Sequence, residues 1–329
     1  MSPVPAPAPS LTVVAAVAAV VALVATAALL RLAPRLRLVR TDEQPRIGGL
    51  AIAVALAVVA LIAPEARDAA VLLPALAGLA LGLHDDLTDS PALLRLLALV
   101  GIASGAWFLG ARVETVVFAG GDPIALGAFS APVSVLWILV VVVGFDFIDG
   151  LDGLAASLGL LAAVALLLLG VSASLGIAVI AALATFLLAA NRPPARAWLG
   201  DAGSNGLGVL VATLALSAPG PATAPTLLLI FAVPILDAGL TVIRRLRGDG
   251  GLLQGELGHL HHRLERLWGS PAMAVAELVG VATLCTTSGL LLALAPDRRG
   301  QALIGAVIAI GLLLWRTGWL SRPGGPGTR

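Results

Sequence analysis

The chain has 329 residues, of which 59% are hydrophobic and 12% charged, with a formal net charge of +1. Soluble domains carry about 25% charged residues, so a mean hydropathy of +1.03 excludes a water-soluble globule and, away from the chain ends, a disordered polymer. The near-zero charge offers no basic field to a nucleic-acid backbone. The one cysteine, Cys285, lies in an apolar run, so it forms no internal disulfide and reads as a packed thiol.

A helix needs about 20 apolar residues to cross a bilayer. Windows of that size pick out eleven segments, near residues 11–32, 47–63, 69–83, 92–111, 132–148, 154–170, 173–190, 205–218, 224–243, 271–295 and 301–320. The expected fold is all-α: a polytopic integral membrane protein of about 10–11 transmembrane helices, one domain over 1–320, and a disordered Gly/Pro tail, SRPGGPGTR, at 321–329. The first segment follows SPVPAPAP, which has no positive charge, and is too long for a cleaved signal peptide, so it is expected to stay as an anchor. Residues 112–130 alternate and turn at Gly120-Gly121, which predicts a small hairpin.

All twenty basic residues are Arg. If the spans alternate sides, sixteen of them fall on one face and only Arg67, Arg112, Arg298 and Arg299 on the other. Positive charge marks the cytoplasmic side. The N-terminus and the hairpin are therefore expected outside, in an inner or plasma membrane.

The polar chemistry gathers at the cytoplasmic ends. His84, Asp85, Asp86 and Asp89 follow the third span in GLHDDLTDSP, where Ser90-Pro91 reads as the cap and first turn of the fourth. Oxygen-only ligands such as the Asp85-Asp86 pair suit Mg²⁺, with Mn²⁺ as a substitute. In DFIDGLDGLA the acids Asp146, Asp149 and Asp152 recur every third residue. On a helix that spacing gathers three carboxylates on one face, where they demand a cation or an array of donors. The competing reading is a helix C-terminus with two Asp-Gly turns.

WLGDAGSNGLG, residues 198–208, carries a metal-reaching Asp201, a hydroxyl donor at Ser204 and a ring at Trp198 that can stack on a base. Its glycines, Gly203 among them, either let backbone amides approach an anion or let helices pack closely. HLHHRL, 259–264, offers His259, His261 and His262 with Arg263. Zinc is the rival ligand, but no Cys or HExxH frame accompanies the cluster and the adjacent positive charge favours a diphosphate. A transporter would place its ionisable groups near the midplane. Gathered at one leaflet, they suit an enzyme with one soluble and one lipid substrate.

Taken in order, PRIGGLAI, HDDLTDSP, DFIDGLDGLA, NRPPARAWLGDAGSNGLG, LDAGLTVIRRL and HLHHRL closely resemble the polyprenyl-phosphate N-acetylhexosamine-1-phosphate transferases, over residues 45 to 265. The resemblance implies a Mg²⁺-dependent catalytic domain that moves a sugar 1-phosphate from a UDP-N-acetylhexosamine to an undecaprenyl or decaprenyl phosphate in the membrane lipid. UMP is released, in the first membrane step of cell-surface polysaccharide synthesis. A homodimer is the candidate assembly. Asp85 and Asp86 then stand near metal and lipid phosphate, one of them as a base, and Asp201 is a metal ligand. Trp198 stacks on uracil, Asp149 and Asp152 bind nucleotide, and His259, His261 and His262 contact phosphates. Arg46, Asp146, Asn191, Arg196, Gly203, Ser204 and Arg263 complete the substrate-binding set. Leu260 and Arg263 break the three-histidine-and-aromatic pattern of the muramoyl-pentapeptide branch, so the chain looks more like the branch using UDP-N-acetylglucosamine or a related hexosamine. The family usually has Asn at positions 143 and 146, held here by Val143 and Asp146, and a Lys/Thr lead where this chain has TDEQPR. Arg95 stands where a Lys is often found. The alternatives are the muramoyl-pentapeptide branch itself and a transporter or lipid-binding relative that uses the same mouth without catalysis.

Overall fold

The computed structural model describes residues 9–39, 44–63, 68–88, 90–118, 121–218, 224–246 and 258–319. Residues 1–8, Asp89, Gly120 and the tail at 321–329 lie outside these segments. Among the described residues the helices are α1 (Leu11–Leu32), α2 (Gly48–Ile62), α3 (Asp68–Thr88), α4 (Ala92–Phe108), α5 (Ser130–Ile148), α6 (Leu154–Leu168), α7 (Ala173–Phe186, with a π-helical turn Leu187–Asn191), α8 (Gly200–Leu216), α9 (Ala224–Ile230), α10 (Ala232–Leu246), α11 (Leu260–Trp268), α12 (Pro271–Leu294) and α13 (Arg299–Arg316). Strands β1 (Thr115–Val116) and β2 (Ile124–Ala125) form the expected antiparallel hairpin, with Thr115 opposite Ala125.

Every segment expected to cross the bilayer is helical, and the chain is an all-α, multi-pass membrane protein. The spans are less even than the sequence suggests. Six helices are long and apolar enough to cross: α1, α3, α5, α7, α12 and α13, counting α5 and α7 with their adjoining 3₁₀ and π turns. α2, α4 and α6 are shorter apolar helices. The ninth span is not straight, since α9 and α10 meet at 85°. Pro234 accounts for the break. It has no N–H to give the carbonyl four residues back, at Ile230, and its ring crowds that carbonyl.

α1 illustrates how the outer helices are built. Ser10 caps it by accepting from the Val13 N–H at 3.4 Å. Val14, Ala18, Ala22 and Thr26 recur every fourth residue as its buried stripe, against α7 and α2, while Val20, Leu23 and Val24 are exposed. In a bilayer such apolar residues face lipid at no cost, so helix contacts rest on close packing of small residues.

α8 is the centre of the bundle, buried continuously from Ala202 to Ala215. Its neighbours approach through glycine. A Cβ on Gly82 of α3 would lie 2.0 Å from the Asp201 carbonyl oxygen, one on Gly49 of α2 would lie 2.5 Å from the Gly203 nitrogen, and one on Gly208 would lie 2.8 Å from Val142 Cα of α5. Gly203 is thus a packing residue of the α2–α8 crossing. The free Cys285 is fully buried in α12.

Candidate active site

Two of the polar segments fold differently from their sequence pattern. α3 does not stop at 83 but runs to Thr88, which puts Asp85 and Asp86 on its last turns. Residues 198–208 are not an anion-cradling loop, because α8 already begins at Gly200. Gly200, with φ +77°, makes the sharp entry, and a side chain there would press within 3.0 Å of Asp86 Oδ2. Asp86 is the reason the entry closes. Its Oδ2 accepts from the Ala202 N–H at 2.9 Å and its Oδ1 from the Asp201 N–H at 3.2 Å, so it caps α8 from a neighbouring helix. Arg46 Nη1 donates to the same Oδ1 at 3.2 Å.

Asp85 serves the next connection. It accepts from the Ser90 N–H at 2.7 Å and pairs with Arg95. The N-cap of α4 is Pro91, with no side-chain cap, so Ser90 does not cap that helix. The carboxyl groups of Asp85 and Asp201 face each other closely enough for each to shift the other's ionisation, and Ser204 Oγ donates to Asp146 Oδ1 at 3.3 Å.

Asp146, Asp149 and Asp152 do not share a helix face. Asp146 sits in the last turn of α5, Asp149 is its C-cap and Asp152 lies in the following turn. Asp152 is committed to the 195–198 segment, with Oδ2 accepting from the Ala195 N–H at 2.9 Å and Oδ1 from the Trp198 indole N–H at 3.1 Å. Asn191, buried, ties the same segment by donating to the Ala197 carbonyl at 3.0 Å. The Trp198 backbone in turn bridges to the strand-like Pro45–Arg46 stretch.

These ties shape a cavity of about 270 Å³ whose walls include Arg46, Asp149, Asp152, Asn191, Trp198 and Asp201. Arg196 is exposed and not among its walls. Burial, then the charges of Asp146, Asp86 and Asp85, push the Asp201 carboxyl up to about 7. Burial, then Asp146, Asp201 and Asp86, push that of Asp149 well above the usual carboxylate range. Carboxyls under such mutual pressure are relieved by protonation or by a cation. Among the described residues no three His, Cys, Asp or Glu form a ready-made metal cage. The Asp85–Asp201 contact nonetheless suits a hard divalent ion. Mg²⁺ is held through one or two carboxylates and fills its remaining positions with water and phosphate.

Beside the same region, α2, α3 and α8 enclose an apolar groove of about 400 Å³, lined by Ile52, Leu56, Leu72, Leu76, Leu79 and Leu210 among others. It also reaches Gly49, Ala202 and Gly203, within three residues in the chain of Arg46 or Asp201 of the polar cavity.

The histidines adjoin this cavity without being among its walls. His261 is fully buried, with a Cβ on Gly150 due to fall 2.3 Å from its Nε2, and neither ring nitrogen has a hydrogen-bond partner among the described residues. Burial, reinforced by His262, pulls it down to about 3, so it is a neutral packed ring. His262 is more open, with Nδ1 3.6 Å from Glu265. Arg263 reaches away, donating to the Thr317 carbonyl at 3.0 Å and lying over Trp319. His259 is held by Asp237 of α10, a residue missing from the set read from sequence. The signal was there, because a lone acid inside an apolar span is a functional flag in itself.

Residues 69–218 match the model of the family described as glycosyl transferase family 4. Over 276 residues the chain is 30% identical to a Bacillus subtilis protein named a probable undecaprenyl-phosphate N-acetylglucosaminyl 1-phosphate transferase, covering 79% of this chain and 76% of that one. It is 27% identical over 325 residues to the decaprenyl-phosphate N-acetylglucosaminephosphotransferase of Mycobacterium leprae, with 85% and 81% covered. It is 30% identical over 292 residues to the protein of the same name from Mycolicibacterium smegmatis, with 74% and 70% covered. Asp85, Asp86, Asp149 and Asp201 all fall within the matched stretch, and the chain belongs to glycosyl transferase family 4.

Proposed function

We propose that this chain transfers an N-acetylhexosamine 1-phosphate, N-acetylglucosamine 1-phosphate foremost, from a UDP-sugar to a polyprenyl phosphate and releases UMP. One observation carries the reading beyond the names of the relatives. A carboxylate- and arginine-walled cavity with an indole wall and an apolar groove of about 400 Å³ meet at the first turn of one helix, α8. One suits a nucleotide sugar and the other a lipid chain.

In this reading Trp198 stacks on the uracil, held edge-on by Asp152, and Arg46 offers its guanidinium to the diphosphate. The acceptor phosphate oxygen attacks the β-phosphorus of the UDP-sugar, and UMP leaves. That oxygen is already anionic near neutral pH, so the demand on a protein base is small and positioning dominates. Asp201 and Asp85 are the residues that would hold Mg²⁺. When bound, the ion neutralises charge on the bridging phosphates. Asp86, whose oxygens are occupied by α8 and Arg46, sets the α8 entry. The excess of Arg on one face supports a cytoplasmic site in the inner or plasma membrane, with the product feeding cell-surface polysaccharide synthesis.

The test is purified full-length protein with undecaprenyl or decaprenyl phosphate and a panel of UDP-sugars, alongside exchange of radiolabelled UMP into UDP-sugar. Transfer from UDP-N-acetylglucosamine and UMP exchange are the expected results. Absence of both with every donor would overturn the reading, since a mere binder or transporter cannot exchange UMP.

A further inference from the structure

The bend after Ile230 lays α10 along the histidine segment, and the face it turns inward is polar. Asp237, Thr241 and Arg244 are buried along it, while Val242, Ile243 and Leu246 are exposed on the opposite side. Each oxygen of Asp237 has its own partner. Oδ2 lies 2.7 Å from His259 Nδ1, and Oδ1 accepts the backbone N–H of Leu260 at 2.7 Å. The carboxylate is 1% exposed and His259 is 7% exposed.

His259 is the N-cap of α11, yet its side chain does not cap that helix. Asp237 supplies the cap from another element and pins the cap residue's ring with its second oxygen. An ionised carboxylate only accepts hydrogen bonds, so the hydrogen of this contact sits on Nδ1. A bare Nε2 would meet a phosphate oxygen lone pair to lone pair, so the form of His259 that bonds a phosphate is the imidazolium, whose Nε2–H donates while Nδ1–H stays on Asp237. The ring plane is held as well, by Phe147 at 4.9 Å between centroids and by the stacked His261 ring at 5.7 Å. Phe147 lies between Asp146 and Asp149, so the imidazole stands at the end of α5 that supplies a wall of the polar cavity.

We infer that Asp237 is a positioning residue for sugar-phosphate transfer, holding the Nδ1 proton and the orientation of the His259 imidazole so that the Nε2–H of its imidazolium form donates to the phosphates of the nucleotide sugar. The inference rests on the function proposed above. A carboxylate behind an active-site histidine is a recurrent device, because the outer hydrogen bond decides which nitrogen carries the proton.

Asp237→Asn separates this role from helix capping. The Leu260 N–H can only donate, so the Asn carbonyl must face it. The Asn amide is left toward His259, forcing Nδ1 to become the acceptor. α11 stays capped while the Nδ1 proton, and with it the charged imidazolium, is lost. The chain has four histidines, few enough for ¹⁵N-histidine NMR of the purified full chain, with single His→Asn variants for assignment. The expected spectrum has His259 protonated on Nδ1 in wild type and not in Asp237→Asn. Transfer should fall about tenfold to a hundredfold in Asp237→Asn, the usual weight of such a second partner, with an unchanged thermal midpoint and partial recovery in Asp237→Glu. In a His259→Ala background the same change should cost nothing further, because a residue acting through His259 has nothing left to act on. A wild-type His259 bare at Nδ1, or an equal loss of transfer in the His259→Ala background, would overturn the assignment. Wild-type protein without transfer activity would instead remove the function, and the NMR arm would still decide the Asp237–His259 pairing.

Discussion

Trp198 shows how a side chain can be both wall and strut. Its indole N–H is bonded to Asp152, which also holds the Ala195 amide, so the ring plane is fixed before any nucleotide arrives. Stacking of a base on an aromatic is worth about 1–3 kcal/mol. In the proposed function the uracil is far from the bond being broken, so a Trp198–uracil contact would be equally strong in ground and transition states and would belong in KM. Trp198→Ala should raise the Kd for UDP by about tenfold to a hundredfold, and Trp198→Phe, which keeps the face but loses the Asp152 bond, should fall between. Titration calorimetry on the purified variants decides it, and an unchanged Kd would take Trp198 out of the site.

Asp201, in the first turn of α8, gives a pH signature. Burial and then the neighbouring acids push its carboxyl up to about 7, well above the usual carboxylate range. Ionisation is therefore disfavoured by folding. The stability this contributes is fully present below the unfolded value and is lost as pH rises through the folded one. A divalent ion binds the ionised form, so its stabilising effect runs the other way. Mg²⁺ should raise the thermal midpoint more at pH 8 than at pH 6, and Asp201→Asn should abolish the difference and, with it, most of the transfer activity. Equal Mg²⁺ shifts in wild type and Asp201→Asn would place the metal elsewhere.

At the scale of elements, the α3–α8 contact delivers the paired acids to the start of α8. Gly82 makes that contact possible. A methyl group there would sit 2.0 Å from the Asp201 carbonyl, and the obstacle is backbone. Overpacking of this kind costs about 1–3 kcal/mol or more. Gly82→Ala should lower the thermal midpoint and reduce transfer disproportionately, because the strain displaces Asp201 and loosens the Asp86 cap. Gly101→Ala on α4, with nothing within 4 Å of the added carbon, is the matched control and should be silent in both assays. Equal behaviour of the two variants would mean that the α3–α8 crossing tolerates separation without cost to the site.

For the whole molecule, the measurable quantity is orientation. The Arg asymmetry predicts that the β1–β2 hairpin is external and that the α3–α4 turn and α11 face the cytoplasm. Single cysteines introduced on a Cys285→Ala background, one at Glu114 and one at Arg266, should be labelled by an impermeant maleimide in intact cells at position 114 only. Labelling at 266 alone would invert the molecule.

Much of this was legible without coordinates, and for identifiable reasons. Hydropathy over windows of membrane thickness depends on composition alone, so every crossing segment was found. The hairpin followed from alternation around a Gly-Gly turn. The oxygen-rich character of the site was readable because acids are costly near a bilayer and are retained for use. The break in the ninth span was not read, although Pro234 carries its signal. What the one-dimensional pattern could not supply was the partner of each polar group. Asp146, Asp149 and Asp152 have helical spacing, yet the helix ends between the first and second of them. The glycines of 198–208 suit an anion loop as well as a helix crossing, and the approach of α2, α3 and α5 chose the crossing. Asp86 reads as a ligand until the N-terminus of α8 arrives from over a hundred residues away and takes both its oxygens. Asp237 and His259 meet only because α10 turns back on the bundle. Composition and local spacing determine which groups a chain carries and how deep in the membrane they lie. Hydrogen-bond partners between distant segments depend on helix crossings, and only the tertiary structure could decide them.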